Sequence, residues 1–242
     1  MNEHGLRIAM GSHWLQTLAV RLITGLHPAI EHNVEKTRAL KKAFHLVNLE
    51  GVEGDYLEFG MFEGTSFIAA FECHLKTRQP ATKPRHFRGY DSFAGFKPSI
   101  PDAHPFFASG RFNSDFERTR RRIEHHFRER SAWTVTPGFL EDTVQGKDIG
   151  AAGVERVAVA FIDVDLGTPA RIALDYLYPA LQNGSVLVLD DSFAYRGSLE
   201  RGVAGAFESF KAEHPELVFR RAFDYGYGGQ AFVLARGGPK PS

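Results

Sequence analysis

Residues 54–66 read GDYLEFGMFEGTS, and the rest of the chain can be placed from them. Tyr56–Phe59 is a short, mostly apolar run that carries Glu58 and stops at Gly60. Gly64 follows, and Thr65–Phe71 (TSFIAAF) opens like a helix. A buried strand that turns on glycines into a helix N-terminus presents backbone N–H groups and a positive dipole end, which favour a carboxylate or phosphate. Glu58, at the carboxyl end of that strand, is expected to face the same crevice and to accept from an ammonium or hydroxyl. The same pattern also fits a turn that needs glycine for its geometry alone.

At 242 residues, 43% hydrophobic and 24% charged, the chain has the length of one α/β domain with an N-terminal appendage. Lys+Arg and Asp+Glu both number 29, so the net charge is zero and no nucleic-acid footprint is expected. A lone cysteine, Cys73, excludes an internal disulfide and a Cys-rich zinc site. No apolar run has membrane-spanning length. Arg21 interrupts the apolar patches of Leu15–Leu26, and no cleavage signal is recognisable, so a cytoplasmic location is expected.

Leu6–Leu26 carries apolar residues at helical spacing, up to a break at His27-Pro28. Glu31–Val47 is a second helix, with Val34, Leu40, Ala43 and Leu46 on one face and Glu35, Lys36, Arg38, Lys41 and Lys42 on the other. After the glycine turn, His86–Tyr90 forms a second strand ending at Asp91. Roughly 30 residues separate Gly60 from Asp91, the length of one βαβ unit. An acidic residue there suits a ribose hydroxyl pair, or the cap of a turn. Ser99–Ser114, with Asp102, His104 and Arg111, reads as a long functional loop, and Asp115–Arg130 as a charged helix. Thr134–Thr136 is a third strand, with Gly138–Thr143 at its exit.

Val157–Ile162 (VAVAFI) is a run suited to a central strand buried on both faces, and it delivers Asp163 and Asp165. Thr168–Leu181 is a helix, Asn183-Gly184 a turn, and Val186–Leu189 a buried strand that delivers Asp190 and Asp191. Leu199–Ala212 closes as a helix, and Val218–Phe223 and Gln230–Ala235 as a hairpin. The pattern predicts a doubly wound α/β fold, a seven-stranded, mostly parallel sheet with a C-terminal antiparallel strand.

Carboxylates at the ends of two buried strands are costly unless paired or metal-bound. Neither acidic motif contains a compensating basic residue, which suggests a hard divalent cation such as Mg²⁺. The other reading gives Asp190 to a cofactor and leaves Asp191 to cap a turn. In open α/β sheets the ligand crevice lies beyond the strand ends. One ligand with an amino-acid end near Gly60 and a ribose near Asp91 describes S-adenosylmethionine.

Gly54–Ser66, Tyr90–Gly95 (YDSFAG), Gly138–Thr143 (GFLEDT), Phe161–Leu166 (FIDVDL) and Leu177–Ser192 together resemble the macrocin O-methyltransferase (TylF-like) family. Its members are Mg²⁺-dependent class I methyltransferases with a Rossmann-like fold that act on hydroxyls of natural products. The resemblance implies an N-terminal helical segment over residues 1–50 and a methyltransferase domain over 51–242. It implies that Glu58, Gly60 and Ser66 hold the methionine end of the cofactor, Asp91 the ribose, and Ser92 and Gly138–Asp142, with Phe139, the adenine surroundings. Asp163, Asp190 and Asp191 would be the metal ligands, Asp163 would also touch the cofactor, and His104 or an aspartate would be the base. It further implies a small-molecule hydroxyl acceptor and a homo-oligomer with N-terminal helices at subunit contacts. Val164 and Gly167-Thr168-Pro169 depart from the family's usual Gly and Tyr-Glu-Ser, which leaves the acceptor open. Two rival readings are a metal-dependent glycosyltransferase using Asp163-Val-Asp165 and a non-catalytic cofactor-binding subunit. A dinucleotide dehydrogenase fits less well, because Gly60–Gly64 lacks the G-x-G-x-x-G spacing.

Overall fold

A computed structural model describes residues 13–97, 104, 106–107, 112–127 and 132–236. Asp102, Arg111 and the apolar positions Leu6, Ile8 and Met10 lie outside the described residues.

Seven strands form one sheet in the order β3-β2-β1-β4-β5-β7-β6. They are β1 (Asp55–Phe59), β2 (Phe87–Asp91), β3 (Trp133–Pro137), β4 (Val157–Ile162), β5 (Leu181–Leu189), β6 (Leu217–Tyr225) and β7 (Gly229–Arg236). The first five pair in parallel, and β7 runs antiparallel between β5 and β6. The chain starts in the middle at β1, walks outward to β3, and returns to lay β4 against the other side of β1. That reversal opens a crevice at the carboxyl ends of β1 and β4.

All six residues of β4 are buried, as its apolar run requires when helices cover both faces. Alternate side chains feed two cores. Leu57, Phe59, Ala160, Ile162, Leu187 and Leu189 pack against α6 (Gly167–Leu177) and α8 (Gly202–Glu213). Tyr56, Val159, Phe161, Val186 and Val188 pack with α2 (Pro28–Leu49), α3 (Thr65–Thr77) and α4 (Phe116–His126). The short helices α5 (Leu140–Thr143) and α7 (Ala194–Gly197) sit at strand exits.

Two boundaries differ from expectation for local reasons. Helix α2 starts at Pro28, because proline's missing N–H is no loss in a first turn, and the His27 side chain accepts from Ala29 N–H. Asn183-Gly184, expected as a free turn, lies within β5, where the register with β4 slips between Val157 and Val159. Gly184 has φ +84 there, and Ser185 Oγ donates to the Val157 carbonyl at 2.6 Å. Helix α1 (His13–Gly25) buries none of its residues against the fold.

Candidate active site

A cleft of about 760 Å³ runs along the carboxyl ends of the parallel strands. Ser92 and Phe139 line it beyond β2 and β3, Gly60 beyond β1, Asp163 beyond β4 and Asp190 beyond β5. Its far wall comes from the start of α2 and from the β6–β7 turn, through His32 and Tyr227.

The ladder continues one residue past each strand and so aims the acidic residues. Asp163 N–H donates to the Phe59 carbonyl at 2.8 Å, and Asp190 N–H to the Ile162 carbonyl at 2.9 Å. Asp165 (φ +61) and Asp191 (φ +50) then adopt the left-handed region, which costs a non-glycine residue of order 1 kcal/mol. In return, one carboxylate oxygen each from Asp163, Asp165 and Asp191 come within 4.8 Å of one another. Burial is the largest cause pushing all three carboxyls above their ordinary range, and the charge of a neighbouring aspartate adds to it at each.

Asp190 has a different environment. Its Oδ2 accepts from Lys36 Nζ at 2.7 Å and pairs with His32 Nε2 at 3.0 Å. Burial works against its charge, yet Lys36 and His32 outweigh that and hold the carboxyl below its usual range. The same Lys36 ammonium also donates to Asp163 Oδ2 at 2.7 Å. Asp190 Oδ1 is buried without a hydrogen-bond partner among the described residues. Of the expected trio, Asp163 and Asp191 thus converge with Asp165, while Asp190 at the same strand end keeps one oxygen on Lys36 and His32. The compensating base that neither acidic motif contains is Lys36, more than a hundred residues earlier in the chain.

The glycine turn is used differently from the expectation as well. Asp91 Oδ2 accepts from Met61 N–H at 2.6 Å and Phe62 N–H at 2.7 Å, and Oδ1 accepts from Phe93 N–H at 2.6 Å. Two of the amides expected to meet a ligand thus meet Asp91, which clamps the β1 and β2 exits together. Asp91 still lines the cleft, where Oδ1, with a single donor, keeps capacity for a hydroxyl. Glu58 does not face the crevice. It is wholly buried, its oxygens accepting from Tyr56 and Ser66 hydroxyls at 2.5 Å each, and neither Glu58 nor Ser66 lines the cleft.

Beyond β3, Gly138 (φ +132) donates to the Asp91 carbonyl at 2.9 Å and turns the chain so that Phe139, Leu140 and Glu141 line the cleft; Asp142 does not. Lys97 lies 4.7 Å from the Phe139 ring centroid. His104 is not among the lining residues. Its ring packs on Phe107 and Tyr195 at 4.6 and 4.8 Å, and its Nδ1 accepts from Phe106 N–H. The structure brings it to neither the acidic trio nor Lys36.

Lys36 and His32 had a sequence signal. Spaced by four, they extend backward the stripe of Ala39, Leu40, Ala43 and Val47 that α2 buries. A cation on a buried stripe marks an internal partner, and grouping Lys36 with the solvated face hid it.

A sequence model of the macrocin O-methyltransferase (TylF) family matches residues 32–215 of this chain. The chain belongs to that family. Among its relatives is an 8-demethyl-8-(2,3-dimethoxy-α-L-rhamnosyl)-tetracenomycin-C 4'-O-methyltransferase of Streptomyces olivaceus. It is 27% identical over 184 residues, 71% of this chain and 66% of the relative. A mycinamicin III 3''-O-methyltransferase of Micromonospora griseorubida is 27% identical over 177 residues, 68% of this chain and 66% of the relative. Each match spans just under two thirds of the relative's length. The O-methyltransferase NovP superposes with a TM-score of 0.63 at 19% identity, covering 83% of this chain and 79% of NovP. The calicheamicin methyltransferase CalS11 gives 0.63 at 18%, covering 81% and 77%. At such identities the likeness concerns the fold, and it agrees with the sheet order described above.

The TylF-family match includes Glu58, whose environment predicts a pH effect. Burial raises its carboxyl to about 7, against the pull of the Ser66 and Tyr56 hydroxyls. The folded-state value lies above the unfolded one, so its contribution is present below about pH 4.5 and is lost as the pH rises through 7. Between pH 5 and 8 the loss is about 2–3 kcal/mol. Glu58→Gln is expected to remove that slope. Urea melts at the two pH values check it, and an equally steep slope in the variant would refute the assignment.

Proposed function

We propose that this chain is a cytoplasmic enzyme that transfers a methyl group from S-adenosylmethionine to a hydroxyl of a sugar or other natural-product small molecule, with a divalent cation, Mg²⁺ or similar, at the site. The observation that carries this reading is the acidic trio of Asp163, Asp165 and Asp191 set beside Gly60, inside a cleft whose other end is lined by Asp91, Ser92 and Phe139. The names of the relatives support a glycosidic acceptor.

The donor set fits both groups. Phe139 and Leu140 present apolar surface for an adenine, Asp91 and Ser92 polar groups for a ribose, and the region around Gly60 and Asp163 the methionine end. Asp163, Asp165 and Asp191 offer three oxygens from raised carboxyls, the ligand type a hard cation takes. When bound, the sulfonium supplies an activated methyl, and the ion a Lewis acid that lowers the acceptor's pKa. The chain's own part is alignment and proton removal. Phe62, Phe96, Phe107 and Phe112 line the cleft and keep water from the reacting groups. Asp163 lines the cleft beside Gly60 and His104 does not, which favours an aspartate over His104 for the acceptor proton.

Calorimetric titration with S-adenosylhomocysteine, with Mg²⁺ and again with EDTA, tests the cofactor. Binding under both conditions is expected; none under either overturns the reading.

We also propose a homo-oligomer built on α1. A 13-residue helix is marginal alone, and α1 exposes Trp14, Leu18, Leu22 and Ile23 without burying a residue. A second copy covers that face. Leu18→Glu with Leu22→Glu is expected to shift the light-scattering mass to one chain, and a wild-type mass of one chain would count against the assembly.

A further inference from the structure

Five phenylalanines besides Phe139 line the cleft: Phe62, Phe96, Phe106, Phe107 and Phe112. Phe96, Phe107, Phe106 and Phe112 close a ring of tilted and edge-to-face contacts, with centroids 5.5 to 6.1 Å apart. Phe62 joins that ring through Phe112 at 6.1 Å. Even so, Phe62, Phe106 and Phe112 expose 43, 55 and 40% of their surface. Large apolar side chains gathered in one open, concave patch mark a surface for a ligand. Phe62 and Phe112 also hold φ +50 and +60, a region disfavoured for side chains of their size. Both backbone groups of Phe62 are pinned there. Its N–H donates to Asp91 Oδ2 at 2.7 Å, and its carbonyl accepts from Ser114 Oγ at 2.8 Å. The fold thus holds an open aromatic ring beside Gly60.

The row has a definite place. Phe62 belongs to the turn after β1, and Phe107 packs on His104, which meets Tyr195 after β5. Strand β4 lies between β1 and β5, so the row spans the part of the cleft where β4 delivers Asp163. Phe139, the apolar group given to adenine, stands beyond β3. The same part of the cleft offers little to an anion. Among the described residues both lysines of the lining are engaged. Lys36 Nζ stands 2.7 Å from oxygens of Asp163 and Asp190, and Lys97 Nζ 3.3 Å from Glu141. Six carboxylates share the lining with them: Asp91, Glu141, Asp163, Asp165, Asp190 and Asp191.

We propose that the phenylalanine row is an acceptor subsite for a flat, uncharged ring system, so that the enzyme methylates a finished glycoside of such an aglycone rather than a nucleoside-diphosphate sugar. The proposal rests on the methyl-transfer reading above and names its substrate class. Aromatic faces hold a flat ring by dispersion and offset stacking. A nucleobase stacks on the same faces, but its diphosphate then meets the carboxylates and is repelled. Glycosyl transfer onto the aglycone is the reaction that must supply the substrate.

Calorimetry in saturating S-adenosylhomocysteine and Mg²⁺, with one sugar presented three ways, tests it. The probes are methyl α-L-rhamnoside, 1-naphthyl α-L-rhamnoside and thymidine diphosphate rhamnose. The naphthyl glycoside is expected to bind at least about tenfold tighter than the methyl glycoside, and the nucleotide sugar no tighter than the methyl glycoside. Phe62→Gly and Phe112→Gly remove a ring each, and glycine suits the left-handed backbone they leave. Each is expected to bring the naphthyl glycoside to within about threefold of the methyl glycoside, with S-adenosylhomocysteine affinity changed by less than about threefold. Either variant suffices if the other does not fold. Suppose wild type binds S-adenosylhomocysteine but holds the two glycosides equally, holds none of the three probes, or holds the nucleotide sugar tightest. Any of these overturns the subsite and leaves the methyltransferase reading standing. A variant that loses S-adenosylhomocysteine instead places the ring on the cofactor and overturns the subsite as well. No S-adenosylhomocysteine binding by wild type overturns the reading, and the subsite with it.

Discussion

Asp163→Asn is expected to lower methyl transfer by roughly 10²–10⁴-fold while S-adenosylhomocysteine affinity stays within a few-fold. The residue stands where three demands meet. Its backbone continues the β1–β4 ladder through the Phe59 carbonyl, its carboxylate belongs to the acidic trio, and one of its oxygens holds Lys36. An amide keeps the shape and removes the charge. It can neither take a proton from the acceptor nor contribute fully to a cation. The other cleft residues proposed to hold the cofactor, Phe139, Ser92 and Asp91, are untouched, so the loss should fall on turnover and on Mn²⁺ binding. His104→Ala is the matched control. Its ring lies on Phe107 and Tyr195, outside the cleft lining, and a change of less than about fivefold is expected. Single-turnover rates with radiolabelled methyl donor compare the two. A thousandfold loss at His104 with a mild effect at Asp163 would reverse the assignment of the base.

The strands were legible because their burial is written locally. VAVAFI and VLVL have no polar face, so they belong between two layers of helix, and they lie there as β4 and the end of β5. Their trailing aspartates follow from strand direction alone. Pairings across the chain were not legible. Lys36 reads as one of a run of charges on α2, and only the packing of α2 across the ends of β4 and β5 turns it inward. The choice between Asp165 and Asp190 as third member of the trio rests on backbone dihedrals. Asp165 and Asp191 turn back through left-handed conformations, which no side-chain pattern announces. Glu58 misled for a related reason. A strand's period of two sends Tyr56 and Glu58 to one face, and that face packs under α2 and α3 rather than opening on the cleft.

Gly60→Ala is expected to destabilise the fold by at least about 3 kcal/mol and to lower the melting temperature by about 10 °C. Gly60 has φ +87, and a Cβ built there overlaps the carbonyl oxygen of Asp163. Its N–H is committed to the Tyr90 carbonyl at 2.9 Å, so the residue cannot rotate away without breaking the clamp between β1 and β2. Relief must come from moving the Asp163 backbone, and with it the carboxylate on which the trio depends. Gly51→Ala provides the scale. Gly51 has φ +64 but nothing within 4 Å of an added Cβ, so it carries the left-handed penalty of about 1 kcal/mol alone. The difference between the two variants isolates the contact with Asp163. The sequence left open whether this glycine serves a ligand or the backbone, and the pair of readouts decides it. A Gly60→Ala protein that melts like wild type but no longer binds S-adenosylhomocysteine would place the requirement at the ligand. A steep loss of stability, with weakened cofactor binding following from it, places it at the junction of β1 and β4, where the geometry puts it.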